Sequence, residues 1–323
     1  MAVVRYFRKW TFWHWVTAIS LLLLAIVLVY PVGQLLVKSF IADDGGFTLE
    51  NYATFLGKRY YRRALTNSLW VCTVSTLFAT ALGIPMAFLL TRYKLPGKPF
   101  IRTLIILSLL SPPFIGTYSW IVLLGRAGII TRAMEAIGIT LPTIYGPRGI
   151  ILVFSLHFFP YVYLFTAAAL QSIDRSLEEA ADNLGVSGWT RFRTITLPLV
   201  LPAISAGALM AFMSALADFG TPQLIGEGFQ LLPIAAYSEY MNEIGGNPGM
   251  AGALSMGLVV ISAVALFLQR WINRRTFSMS SLRPPGVVDL PLGKKILATA
   301  FCYLVVLVAI LPQVVVMVSS FRK

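Results

Sequence analysis

The sequence predicts an all-α fold: a polytopic transmembrane helical bundle made of one six-span module and the first span of a second. Three observations predict it. Hydrophobic residues make up 57% of the 323-residue chain and charged residues only 12%, about half the ~25% with which soluble domains cover their surface. The apolar residues gather in runs of about 20 or more, the length a helix needs to cross ~30 Å of hydrocarbon. The runs are too long and too uniformly apolar for the alternating strands of a membrane barrel. A soluble globular enzyme, a disordered tail and a secreted disulfide scaffold are excluded on the same grounds.

The spans are expected in this order: Trp15–Val37, Ala64–Thr91 (between Arg63 and Arg92), Thr103–Gly125, Gly149–Ile173, about Leu197–Ala217, about Met250–Gln269, and Ile296–Phe321. Arg5, Arg8 and Lys9 precede the first run as in a secretory leader. That run is too long for a leader and no small-x-small cleavage site follows it, so it is read as an uncleaved span. Pro31, Pro85, Pro112, Pro113, Pro160 and Pro202 fall within spans. Proline frees carbonyls that packed neighbours must re-satisfy, so bent or interrupted helices are expected.

The net charge of +13 does not indicate nucleic-acid binding, because the basic residues are dispersed between apolar runs rather than clustered on one face. Placing the N-terminus in the cytoplasm puts 16 Lys and Arg on inner segments and 10 on outer ones, the bias of the positive-inside rule. The connection after the sixth span carries six basic residues and one acid, Asp289, whereas the one after the fifth carries Glu227, Glu239 and Glu243 and no base. Residues 230–243 there could form an amphipathic helix on the outer face or a solvated loop.

Two segments read alike. PVGQLLVKSF (31–40) and PQVVVMVSSF (312–321) share Pro, Val, Ser and Phe at a constant offset of 281, and each follows an apolar run that opens after basic residues. Residues 1–290 are therefore expected to be one complete module, and 291–323 to open a second, truncated here.

The segment SLEEAADNLGVSGWTRFRTITLPLVLP, between the fourth and fifth spans, predicts a short cytoplasmic helix. Ser176 with Glu179 forms a capping box, and Gly185 stands where a C′ residue stops a helix. Leu177, Ala180, Ala181 and Leu184 share a face, with Glu178 and Asp182 off it. A helix of two turns is marginal alone. Its small central residues suit a knob inserted into a groove on another protein; a helix merely covering the bundle end has the same pattern. Trp189 and Phe192, flanked by Arg191 and Arg193, form a second amphipathic piece, at the membrane interface or on the rim of the same groove.

Glu179-Ala180-Ala181, three residues, Gly185, nine residues, then Ile195-x-Leu197-Pro198 resembles the EAA loop of permeases of the binding-protein-dependent ABC importer type. Seven specified residues match by chance on the order of once in ten million positions. The resemblance implies that this loop is the coupling helix that docks on a separate nucleotide-binding subunit, with Glu179, Ala180, Ala181 and Gly185 as the docking element. Ile195, Leu197 and Pro198 would join it to the fifth span. It implies as partners a dimer of ABC ATPase subunits, an extracytoplasmic solute-binding protein, a second permease module or subunit and membrane lipid, in a bacterial inner membrane. Ala217-Asp218-Phe219-Gly220-Thr221-Pro222, with Gly245-Gly246-Asn247-Pro248-Gly249, resembles the ferric-iron branch, where one chain often carries two modules. Similar permeases handle phosphonate, thiamine, polyamine and sulfate.

Asp218 is the acid at the outer end of the fifth span. An acid at membrane depth is a functional candidate, as a cation attractor or part of a gate in the translocation path; a carboxylate in interfacial water is the other reading. Cys72 and Cys302 lie in apolar runs and read as packing residues. His14 and His157 lack neighbours at ligand spacing, so no metal or cofactor is expected on this chain. The absence of G-x-x-x-x-G-K-[ST], H-E-x-x-H and G-x-S-x-G argues against an enzyme. The competing class, a secondary transporter driven by an ion gradient through Asp218, needs no docking helix and more charge within the spans.

Overall fold

The computed structural model describes residues 11–41, 45–242, 246–273, 286 and 288–321. Helices follow one another as α1 Phe12–Ser39, α2 Glu50–Gly57, α3 Arg59–Arg92, α4 Lys98–Leu109, α5 Pro113–Leu124, α6 Ile129–Ala136 and α7 Pro147–Ser172. They continue as α8 Arg175–Asn183, α9 Gly188–Ala217, α10 Gly220–Ile225, α11 Leu232–Met241, α12 Pro248–Asn273 and α13 Leu292–Ser320. The wider π-helical turn interrupts α1 at Ala25–Val29, just before Pro31, and α9 at Phe192–Thr196, just before Pro198. Among the described residues no strand forms beyond two isolated bridges.

Seven stretches are long and apolar enough to cross a membrane, the third being Phe114–Ala136, which joins α5 and α6 across a non-helical break at residues 125–128. This corrects the expected third span, Thr103–Gly125. The chain leaves the helix at Ser111–Pro112, where Pro112 is extended at ψ 138°. Consecutive prolines push each preceding residue out of the α region and remove two donors. The result is two 12-residue helices, α4 and α5, each about 18 Å long and too short to span alone.

The chain divides into two compact units, residues 1–62 with 235–259, and residues 63–234 with 260–323. In the first, the C-terminal end of α1 packs on Met250–Leu254 of α12, all buried. A Cβ on Gly252 would stand 2.7 Å from the Leu35 carbonyl oxygen, so glycine permits the approach. Asn51 Nδ2 donates to the Ser39 carbonyl at 3.1 Å, and Ser39 Oγ shares a hydrogen bond with the Tyr52 hydroxyl at 2.7 Å. The rest of α1 is apolar and exposed, with no buried residue in its most apolar window.

In the second unit, α7 is the central helix, with 61% of its apolar window buried. Phe159, Tyr163, Ala167 and Leu170 pack with Ala79, Met86, Ala87 and Leu90 of α3 and with Val200 and Ile204 of α9. Two glycines let these helices touch backbone to backbone: a Cβ on Gly83 or Gly207 would lie 2.8 Å from Val162. Helix α13 runs parallel to α4, inserting Ala298, Cys302, Val305, Val306 and Ala309 into this core. Gln313 Nε2 donates to the carbonyls of Leu107 (3.3 Å) and Ser108 (3.1 Å) beside the proline break; the Leu107 carbonyl also accepts the Leu110 N–H at 3.1 Å. Gly97 (φ +70°) lies directly beneath the Tyr303 hydroxyl, leaving no room for a Cβ.

Candidate functional site

Helix α8 begins where α7 ends. Ile173 turns extended (ψ 127°), and Asp174 Oδ1 then accepts the backbone N–H of Ser176 at 2.9 Å. Asp174 is therefore the N-terminal cap, which corrects the expected capping box on Ser176 and Glu179. The far end is as expected: Gly185 is left-handed (φ +71°), and the Val186 N–H donates back to the Ala181 carbonyl at 3.1 Å, a Schellman closure.

The predicted apolar face is divided. Ala181 is 3% exposed and Leu177 half-buried, so this side rests on the protein. Glu179 and Ala180 are exposed, Gly185 also, and Leu184 is 82% exposed. The outward surface is thus a carboxylate-bearing side chain, a small residue, a leucine and a glycine turn. The side chains of Glu178 and Asp182 lie outside the described residues.

The second amphipathic piece is not separate. Ser187 caps α9, its Oγ accepting the Thr190 N–H at 3.3 Å, and the helix continues through the π-turn into the fifth span. Ile195 lies half-buried in that turn, Thr196 is buried, Leu197 is half-buried and Pro198 exposed at the first α-helical turn beyond it. Proline at 198 removes a backbone donor, and the Thr194 hydroxyl donates to the Thr190 carbonyl at 2.7 Å. Trp189 stacks on Phe192 at 5.6 Å, and Phe192 meets Phe88 of α3 edge-on at 5.2 Å, fixing this entry segment against α3.

Asp218 ends α9. It is buried (8% exposed), and its Oδ1 accepts the Thr221 N–H at 2.8 Å, so it caps the first turn of α10. Thr221 Oγ1 shares a hydrogen bond with Thr117 of α5 at 2.9 Å. Asp218 is not a carboxylate in open interfacial water; it lies behind a wall that Thr221 forms. That wall bounds a chamber of about 20 Å³ lined by Ser108, Ser111, Thr117, His157, Thr221 and Gln313 together with Trp120, Val153, Leu156 and Pro312, enough for about one water. Gln313 Oε1 is buried there with no hydrogen-bond partner among the described residues. The one local signal of this chamber in the sequence is hydroxyl residues near the Pro112–Pro113 pair.

A second polar cavity, of about 380 Å³, lies within the first unit and is lined by Glu50, Asn51, Tyr61, Glu239 and Asn247 among others. The Tyr61 hydroxyl donates to Glu239 Oε1 at 2.7 Å. Residues 232–241 are helical as α11, with Leu232, Ile234 and Ala235 buried, so this helix is anchored rather than solvated all round. Glu227 pairs with Arg126; Glu243 and Gly245 lie outside the described residues. Among the described residues no group of three or more His, Cys, Asp or Glu is placed to hold a metal.

Residues 79–278 match the family described as binding-protein-dependent transport system inner membrane component. The molybdenum transport system permease protein ModB of Escherichia coli (strain K12) is 34% identical over 218 residues, 66% of this chain and 93% of that one. The ferric transport system permease protein FbpB of Actinobacillus pleuropneumoniae is 29% identical over 282 residues, 85% of this chain but 40% of that longer one. The bacterial ABC transporter involved in import of the acidic polysaccharide alginate has a similar fold (TM-score 0.69, 17% identity, 85% of this chain and 99% of that one). So does the inward-facing MetNI methionine ABC transporter (TM-score 0.53, 18% identity, 71% of this chain and 98% of that one). The chain belongs to the binding-protein-dependent inner membrane component family: it is a multi-pass ABC importer permease.

Proposed function

We propose that this permease forms one half of a translocation path moved by a separate ATPase subunit through α8, with its N-terminus in the cytoplasm. The carrying observation is the build of residues 174–196. A helix fixed at both ends offers Glu179, Ala180, Leu184 and Gly185 outward, and after a four-residue turn, 184–187, it leads into a helix that becomes the fifth span. A push on α8 has no slack segment in which to dissipate. Ala181 seats the helix on the protein rather than in the groove of the partner, and Ile195, Leu197 and Pro198 carry the motion into the span. Affinity-purified wild type is expected to retain the ATPase subunit and Glu179→Lys to lose it. Transport that persists without any ATPase would overturn the reading in favour of an ion-driven carrier.

The exposed apolar length of α1 supports a second permease module or subunit as partner, since α13, its sequence repeat, lies against α4 and α5. On that reading residues 1–290 are one module and 291–323 open another. An extracytoplasmic binding protein delivers the cargo to the outer face. Asp218 acts on the path by holding Thr221 in the chamber wall.

Ferric iron is the favoured cargo. The cavity of Tyr61, Glu239 and Glu50, which Lys58 also lines, offers phenol and carboxylate oxygens, hard donors suited to a hard cation, and the ferric relative aligns over 85% of the chain. Molybdate is the second reading, favoured by the 34% identity to a molybdenum permease. Uptake of radiolabelled ferric iron, but not of molybdate, should be lost on deletion of the gene and restored by this chain; the reverse pattern would reassign the cargo.

A further inference from the structure

The break between α4 and α5 gathers hydroxyl and amide groups at a depth where hydrocarbon offers them nothing. Ser108 and Ser111 stand before Pro112 and Thr117 after Pro113, while His157 of α7, Thr221 of α10 and Gln313 of α13 complete the chamber. Three of these groups have partners within the protein. Thr117 and Thr221 share a hydrogen bond at 2.9 Å, and Ser108 Oγ donates to the Ile105 carbonyl at 2.7 Å. Gln313 is satisfied on one side only. Its Nε2 donates to the carbonyls of Leu107 and Ser108. That fixes the amide, since the reverse orientation would set its oxygen against two carbonyl oxygens. Oε1 is the atom left over, buried and without a partner among the described residues. The Ser111 hydroxyl and the His157 ring also line the chamber without a hydrogen-bond partner among the described residues. A Cβ on Gly116 would lie 3.2 Å from Ser111 Oγ, so this hydroxyl adjoins the space that the glycine leaves.

A buried acceptor left without a donor costs the full desolvation of that group, and bulk water does not reach this depth. The chamber, at about 20 Å³, exceeds the roughly 10–15 Å³ that one water occupies and is too small for two. A water also needs two to four polar partners. Gln313 Oε1 accepts, the Ser111 hydroxyl accepts or donates, and the His157 ring does either according to its tautomer. A cation fits the shell badly. No Asp or Glu lines the chamber among the described residues, Asp218 is turned to the Thr221 N–H, and an uncompensated charge at membrane depth is costly. We infer that the chamber is the binding site of one resident water, which donates to Gln313 Oε1 and is held on its other side by Ser111 and His157. The water completes the hold of α13 on the broken third stretch. Gln313 grips the end of α4 directly through Nε2 and, through Oε1 and the water, grips the hydroxyl at the break and the ring on α7. Neither the orientation nor the cargo proposed above enters.

The test uses the full-length purified chain. A wild-type crystal structure at a resolution that shows other buried waters should show a peak ~2.7–3.2 Å from Gln313 Oε1. Crystals grown with rubidium in place of sodium should give no anomalous signal there. Gly116→Ala places a methyl group beside Ser111 Oγ and is expected to expel the water and lower the melting temperature in detergent. Helix propensity cannot cause that drop, because alanine is the better helix former. Gln313→Met keeps the length of the side chain and removes the acceptor, so on that background Gly116→Ala should no longer lower the melting temperature. A purely steric effect of the methyl group would instead persist on both backgrounds. No peak in the chamber, a rubidium signal within it, or an equal drop on both backgrounds would each overturn the resident water. The wild-type map decides even where a variant does not fold.

Discussion

At Gly185 the backbone, not crowding, demands glycine: φ is +71° and no atom lies within 4 Å of an added Cβ. A side chain there is strained by about 1–2 kcal/mol. Gly185→Ala is expected to loosen the end of α8 and cut ATPase retention on affinity purification several-fold. Gly33→Ala, in open space on α1, should leave it unchanged. Asp218 is argued from its cap. Asp218→Ala should lower stability by about 1 kcal/mol on a thermal melt and reduce uptake, whereas Asp218→Asn keeps an acceptor for Thr221 and most of both. Loss of uptake in Asp218→Asn with the melt unchanged would mean that the charge itself meets the cargo. The stop at Gly185 was legible in the sequence because a C′ glycine is a local signal. The start was not. Asp174 and Ser176 are both competent caps, and the point where α7 turns extended at Ile173 chose between them.

The third span shows what a helix can and cannot announce. Pro112 and Pro113 flagged an interruption, but hydropathy averaged over the run concealed that neither piece spans alone. Whether the Ser108 carbonyl would be satisfied, and by what, depended on Gln313, some 200 residues away. Gln313→Leu should destabilise the protein by roughly 0.6–2 kcal/mol, the range measured for hydrogen bonds between membrane helices, read as a shift in melting in detergent. Gly207→Leu is a harsher test, since its side chain meets the backbone of Val162 at 2.8 Å. It should collapse the yield of folded protein, while Gly293→Ala, with nothing within 4 Å, should not. The fifth span was placed correctly from hydropathy. Its continuity back to Gly188 through a π-turn was not, because charged and aromatic residues at 189–193 read locally as an interfacial piece.

For the molecule as a whole, orientation is the first consequence to check. The native cysteines Cys72 and Cys302 are both buried, so single cysteines introduced on the surface should dominate labelling by an impermeant maleimide. Glu179→Cys should be labelled only in inverted vesicles and Thr48→Cys only in intact cells; labelling of both from one side would overturn the topology.

Membrane class, the number of apolar stretches and the position of the short capped helix between the fourth and fifth spans were determined by the sequence alone. Each depends on quantities summed over a short window: apolar length, charge in a loop, a cap or a stop. The tertiary structure alone decided that Asp218 faces Thr221 rather than water, that hydroxyls from α4, α5 and α10 meet His157 and Gln313 in one chamber, and that α13 belongs to the core of the second unit. In a medium without water every freed polar group must find a partner within the protein. That partner is set by which helices lie side by side, and no local pattern in the chain records it.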